Sequence, residues 1–133
     1  MGVAYYPAFE CETPGFDPST EIGGKPLARE MEDLGEICAR LQVSDLMSFY
    51  SESLKESFDL IGEEVPEGMK EEPIKWTEPA EGLRTLDALI AYLTGHPAEL
   101  QNSPRILEDL QSLRAILDKA SELKTRFRLR LDM

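Results

Sequence analysis

The sequence is poor in the residues that most often carry metal or nucleophilic chemistry. It contains one histidine, His96, and two cysteines, Cys11 and Cys38, among 133 residues. A zinc site draws on several histidine and cysteine ligands, so the chain has too few of them. The two cysteines are far apart and favour a reduced, cytoplasmic setting over a disulfide framework. No metal, no cofactor and no catalytic residue is therefore predicted, and His96 is expected to help end a helix.

Basic residues are also scarce. The chain has 14 Lys and Arg against 26 Asp and Glu, which gives a net charge of −12 at pH 7. Nucleic-acid binding relies on clustered Lys and Arg against phosphates, and anionic membrane surfaces attract the same residues. The charge thus disfavours nucleic acid and membranes as partners. It fits simple solubility or a basic partner protein.

Long apolar runs are missing as well. No stretch approaches the ~18 consecutive apolar residues that mark a membrane span. The N-terminal residues lack the basic and apolar regions of a secretory signal. With 133 residues and an apolar fraction of 41%, the chain has the size of one domain. Residues 1–133 are therefore expected to form a single domain.

Both ends of the chain carry strand patterns. Residues 2–10 are rich in aromatic and small apolar side chains, and Pro7 restricts this strand to an edge or a bulge. Residues 124–132 show a cleaner period of two, in which apolar side chains alternate with the arginine row, defined as Arg126, Arg128 and Arg130.

The middle of the chain shows helical spacing. Apolar residues at intervals of three and four predict helices over about 26–41, in a short segment after Ser44, over 53–62, from Thr77 to 95 and from 103 onward. Ser44 and Thr77 are expected as N-caps, and Ser53 with Glu56 forms a capping-box pattern. The predicted fold is α+β and mostly helical, with four to five helices between two terminal strands that share a small sheet. The helices are expected on one face of that sheet, and the relative direction of the strands stays open.

Candidate binding residues lie at the strands and in the long connection 62–78. The arginine row could receive an acidic segment or a multi-anion ligand through bidentate contacts. Cross-strand pairing with Glu10 or Glu12, or pairing with acidic helices, is the favoured alternative. Aromatic side chains concentrate interface energy, which makes three of them candidate anchors: Trp76, Tyr5 and Tyr6. The long connection also carries an acidic cluster, which fits a solvated loop better than a cation site and consists of Glu63, Glu64, Glu67, Glu71 and Glu72.

Three short segments resemble a family of small bacterial proteins: Gly2-Val3-Ala4-Tyr5-Tyr6, Gly24-Lys25-Pro26-Leu27-Ala28, and Glu81-Gly82-Leu83-Arg84 downstream of a tryptophan. The resemblance extends over nearly the full length. No activity is assigned to that family, so the resemblance implies neither an activity nor a cofactor or site.

Three functional hypotheses follow from the sequence. The first is a non-catalytic cytoplasmic protein that binds another protein, of the immunity or accessory type, and it is favoured over an enzyme. The second is a small enzyme or ligand-binding domain that uses the arginine row and carboxylates in a pocket under the 62–78 loop. The third is a homo-oligomer joined through exposed strand edges.

Overall fold

The described part of the chain begins and ends with a β-strand. In this computed structural model it comprises residues 4–18, 25–70 and 73–132. The order is β1 (Ala4–Phe9), α1 (Lys25–Arg29), α2 (Met31–Leu41), a 3-10 helix (Leu46–Phe49), α3 (Leu54–Leu60), α4 (Pro79–Gly95), α5 (Ser103–Glu122) and β2 (Phe127–Asp132). The two strands form one antiparallel sheet. The prediction of a mostly helical α+β fold with terminal strands in a shared sheet is confirmed.

The register explains how β1 accommodates a proline. Pro7 pairs with Leu129, and the N–H of Glu10 donates to the carbonyl of Arg126 at 2.9 Å. In an antiparallel ladder such bonded pairs alternate with pairs whose N–H and C=O point outward. By this alternation Pro7 belongs to the outward set, so its missing N–H removes no ladder bond. In the described sheet β1 is an edge strand, as the proline predicts.

The other side of β2 is bordered by two short bridges. Thr77 pairs with Phe127 through N–H···O contacts of 2.8 and 2.9 Å, and the N–H of Ser51 donates to the carbonyl of Leu129 at 3.2 Å. The expectation that Thr77 caps the following helix is wrong, because Glu78 holds the N-cap position of α4. Thr77 instead ties the start of that helix to the sheet.

The core lies between the apolar face of the sheet and the helices. Its largest buried side chains come from most helices and from β2, among them Leu27, Leu34, Leu46, Leu86, Leu110 and Phe127. Gly82 allows the close approach of α4 to its neighbours. A Cβ at that position would lie 2.6 Å from Leu117 Cδ1 and 2.7 Å from Phe127 Cζ.

Two helix boundaries differ from the predictions. The single helix expected over 26–41 is divided at Glu30, which has φ −109° and ψ 13°. The division lets α1 contact β1 and α5 while α2 contacts α4 and the 3-10 helix. The cap of the 3-10 helix is Asp45 and not Ser44, since Asp45 Oδ1 accepts from the N–H of Met47 at 3.0 Å. The capping box of Ser53 and Glu56 is confirmed.

Candidate functional site

The arginine row lies on the polar face of the sheet and is paired with carboxylates. Arg126 makes two contacts to Glu10, of 2.8 and 2.5 Å. Arg128 makes a second bidentate pair with Glu56, at 2.7 and 2.8 Å. Arg130 Nη2 lies 2.9 Å from the same Glu56 carboxylate. The structure therefore contains the alternative that the sequence favoured, in which the arginine row pairs with Glu10 and with a carboxylate of a helix.

Glu56 is the centre of this arrangement. One of its oxygens accepts from the N–H of Ser53 at 2.9 Å and from Arg128, and the other accepts from Arg128 and forms an ion pair with Arg130. The hydrogen bonds from Arg128 are the largest cause that lowers the pKa of Glu56, to about 2, with the Ser53 N–H and the arginine charges adding to them. A carboxylate so occupied holds its charge over the physiological pH range. It joins α3, which has no buried residue of its own, to β2.

Two aromatic residues complete the same polar face. The Arg128 guanidinium carbon lies 5.1 Å from the ring centroid of Trp76, and that of Arg130 lies 5.8 Å from the ring of Tyr6. Arg128 itself is 6% exposed. The structure thus brings five of the six predicted binding residues into one assembly, in which the arginines are held by internal partners. The expectation that helices cover only one face is wrong for α3, which reaches the polar face through Glu56.

Tyr5 lies on the opposite face of the sheet. Its ring meets that of Tyr50 edge to face, with centroids 6.0 Å apart, and partial burial raises the pKa of the Tyr5 hydroxyl. It therefore belongs to a different surface from the arginine row.

That surface contains an open groove of about 660 Å³ along α2, which we call the α2 groove. Its apolar lining includes Tyr5, Met31, Gly35, Ala39 and Met47, and its acidic lining is Glu32, Glu36 and Asp45, with Arg29 as the basic member. Met47 is one of the few large apolar side chains that are exposed, at 38%. The groove therefore combines uncovered apolar surface with an excess of negative charge.

Gly35 shapes the groove by admitting Asp45. A Cβ at position 35 would lie 2.7 Å from Asp45 Oδ2, so a larger residue would displace the carboxylate. The other Asp45 oxygen caps the 3-10 helix that carries Met47. Asp45 therefore connects the acidic lining of the groove to the short helix that carries Met47.

Sequence reasoning missed most of this groove. Glu32 and Glu36 are an i, i+4 pair on the exposed side of α2. Such a pair occurs on most solvent-exposed helix faces, so the sequence does not mark it as part of a site. Met47 is one apolar residue of the short helix expected after Ser44, and no sequence pattern marks it as exposed. Their proximity to Tyr5 arises from the tertiary packing of the chain, which periodicity does not encode.

The remaining candidates have structural explanations. His96 follows α4, its Nδ1 lies 2.9 Å from the carbonyl of Tyr92, and the two rings stack with centroids 4.3 Å apart. This confirms its expected part in ending the helix. Both cysteines are free thiols, and burial raises the pKa of Cys38 to about 11. Cys11 is exposed.

Neither a metal cluster nor a membrane span is found in the parts of the chain that the structure describes. Within residues 4–18, 25–70 and 73–132 no group of three His, Cys, Asp or Glu side chains could hold a metal ion. Glu71 and Glu72 of the acidic cluster lie outside these residues. None of the described helices has the length and apolar character needed to cross a membrane.

Comparison with known proteins adds no family assignment. No protein-family model, no curated protein and no solved structure matches the chain.

Proposed function

We propose that the protein is a non-catalytic, cytoplasmic protein of the accessory or immunity type, which binds a basic and partly apolar segment of another protein in the α2 groove. The observation that carries this proposal is the combination within one groove of exposed Met47 and half-buried Tyr5 with the carboxylates of Glu32, Glu36 and Asp45. Tyrosine and methionine are enriched at the centres of protein interfaces.

Charge complementarity favours a basic partner. The groove has three carboxylates against one guanidinium, and the whole chain has a net charge of −12. A basic segment would be attracted over long range and then held by local pairs. A second copy of this chain would bring the same carboxylates to the contact, so self-association through this groove is disfavoured.

A ligand site under the 62–78 loop has weaker support. An anionic ligand at the arginine row would have to displace Glu56 from Arg128, which is almost fully buried. Removing one partner from such a pair costs several kcal/mol, roughly 3–5 for a fully buried pair. Four concave sites formed by described residues lie elsewhere on the molecule.

The cytoplasmic setting in this proposal rests on the cysteines. Both are free thiols, and Cys38 is buried. A reduced compartment suits such a pair.

The test uses a synthetic amphipathic peptide of lysine and leucine as a stand-in for the basic segment. Binding is followed by the amide shifts of the ¹⁵N-labelled protein, and we expect saturable shifts at Tyr5, Gly35 and Met47. The variant Glu32→Gln/Glu36→Gln should weaken binding, as should Met47→Asp.

The matched control is Glu63→Gln/Glu64→Gln, which removes the same charge from an exposed loop. If this control weakens peptide binding as much as the groove variant does, bulk acidity explains the binding and the proposal fails. Shifts spread over the whole surface, or no saturable binding, would overturn it equally. A concentration-dependent dimer that uses the same amides would assign the groove to self-association instead.

A further inference from the structure

A second concave site lies under the loop that follows β1. It has a volume of about 420 Å³ and is lined by residues 11–16, by Lys119 of α5, by Leu123 directly after that helix, and by Thr125. Sites for small molecules typically span ~300–1,000 Å³. The volume therefore suits a small ligand.

The walls of this site are fixed by the chain itself. The N–H of Cys11 donates to the hydroxyl of buried Thr125 at 3.1 Å. Thr13 Oγ1 donates to the carbonyl of Phe16 at 2.8 Å, and the Phe16 N–H donates back to the Thr13 carbonyl at 3.0 Å. Gly15, with φ +82°, supplies the left-handed residue that this turn requires. Binding would need little reorganisation of such a preformed wall.

Phe16 gives the site an apolar side. Its ring stacks on Phe9 with centroids 5.8 Å apart, and it also lines a smaller concavity of about 200 Å³ with Ala115 and Ile116 of α5. Leu123, which is 43% exposed, faces the larger site. These surfaces leave apolar area that a hydrocarbon or aromatic group would cover.

The charged lining contains one acid and one base. Glu12 and Lys119 both line the site, and Lys119 Nζ lies 3.7 Å from Glu122 Oε1 in a pair that is largely exposed. Such a pair holds its members weakly. A ligand with only a carboxylate would be repelled by Glu12, and a ligand with only an ammonium would be repelled by Lys119. A zwitterion satisfies both.

We propose that this site binds a free α-amino acid with an apolar side chain. Its carboxylate would pair with Lys119, its ammonium with Glu12, and its side chain would pack on Phe16 and Leu123. The proposal is independent of the α2 groove, since the two sites share no residue.

The experiment titrates the intact protein with L-leucine and L-phenylalanine and follows the amide shifts. Matched analogues are N-acetyl-L-leucine, which lacks the ammonium, and L-leucinamide, which lacks the carboxylate. We expect saturable shifts around Thr13 and Phe16, and an affinity about tenfold or more lower for each analogue, because each loses one charged hydrogen bond. Lys119→Gln and Glu12→Gln should each weaken leucine binding by a similar factor.

The control variant is Lys55→Gln, an exposed lysine of α3, which should bind leucine as the parent does. All three variants change surface side chains, and their thermal unfolding verifies that the fold is retained. Equal binding of leucine and both analogues would overturn the zwitterion assignment. The absence of saturable shifts with either amino acid would overturn the site.

Discussion

Replacing Glu56 by glutamine tests whether the polar face of the sheet is held by this one carboxylate. Glutamine keeps an oxygen that can accept from the N–H of Ser53. Its NH₂ group, however, would face the guanidinium donors of Arg128 and Arg130, which now pair with both carboxylate oxygens. The variant therefore leaves Arg128, 6% exposed, without its counter-charge.

The expected cost follows from burial and from the pKa. Breaking a fully buried pair costs ~3–5 kcal/mol. The pKa of Glu56 is about 2 against an ordinary 4.5, which at ~1.4 kcal/mol per pH unit corresponds to roughly 3 kcal/mol. Because the Glu56 side chain is 22% exposed and water screens it in part, we expect a loss of about 2–3 kcal/mol. In a chain of this size that lowers Tm by roughly 10 °C.

Urea unfolding of three proteins measures this loss. The parent is compared with Glu56→Gln and with Glu10→Gln, which removes the same charge from the exposed pair with Arg126. Exposed pairs contribute little, so the control should lose much less. A loss in Glu56→Gln no larger than in Glu10→Gln would refute the assignment of Glu56 as the anchor of α3.

The same carboxylate sets an acid dependence. Since folding lowers the pKa of Glu56, its contribution is present above the unfolded pKa and is lost as the pH falls through the folded one. The stability gap between the parent and Glu56→Gln should therefore narrow from about pH 5 towards pH 2. A gap that stays constant over that range would contradict the low pKa.

Further predictions concern packing and thiol chemistry. Gly82→Ala should lower the free energy of unfolding by about 1–3 kcal/mol, because the added Cβ would overlap Leu117. Gly95→Ala should change it little, because a Cβ there would meet no atom within 4 Å beyond its own helix backbone and chain neighbours. In thiol titration of the native protein Cys11 should react and Cys38 should not, since burial raises the pKa of Cys38 to about 11; two reactive thiols before unfolding would contradict the buried position.

Local patterns explain why much of the fold was predictable. The alternation of Phe127, Arg128 and Leu129 needs only a period of two to indicate a strand. The capping box of Ser53 and Glu56 spans one helical turn, so the pattern alone identifies it. The antiparallel direction was not predictable, because no turn joins the two strands and their contact is made across almost the whole chain.

The site was predictable only where partners are close in sequence or on paired strands. Glu10 could be named as a partner of Arg126 because both lie in strands expected to pair. The chain contacts the edge of β2 at Tyr50 and again at Thr77. Glu56 lies between these two contacts, and this path brings its carboxylate to Arg128. Periodicity describes which side of an element is apolar, and it does not describe where such an excursion places a side chain.

The strand edges bear on which surface is free to bind. Beside β2, Thr77 pairs with Phe127, and the N–H of Leu131 donates to Glu52 Oε1 at 2.7 Å, so outward groups of this strand already have partners. Along β1, Pro7 interrupts the row of donors that an added strand would need. The two strand edges thus offer few free backbone groups for a homo-oligomer joined through the sheet. The partner that we propose would therefore be recognised mainly by side chains, and in the α2 groove acidic and exposed apolar side chains occur together.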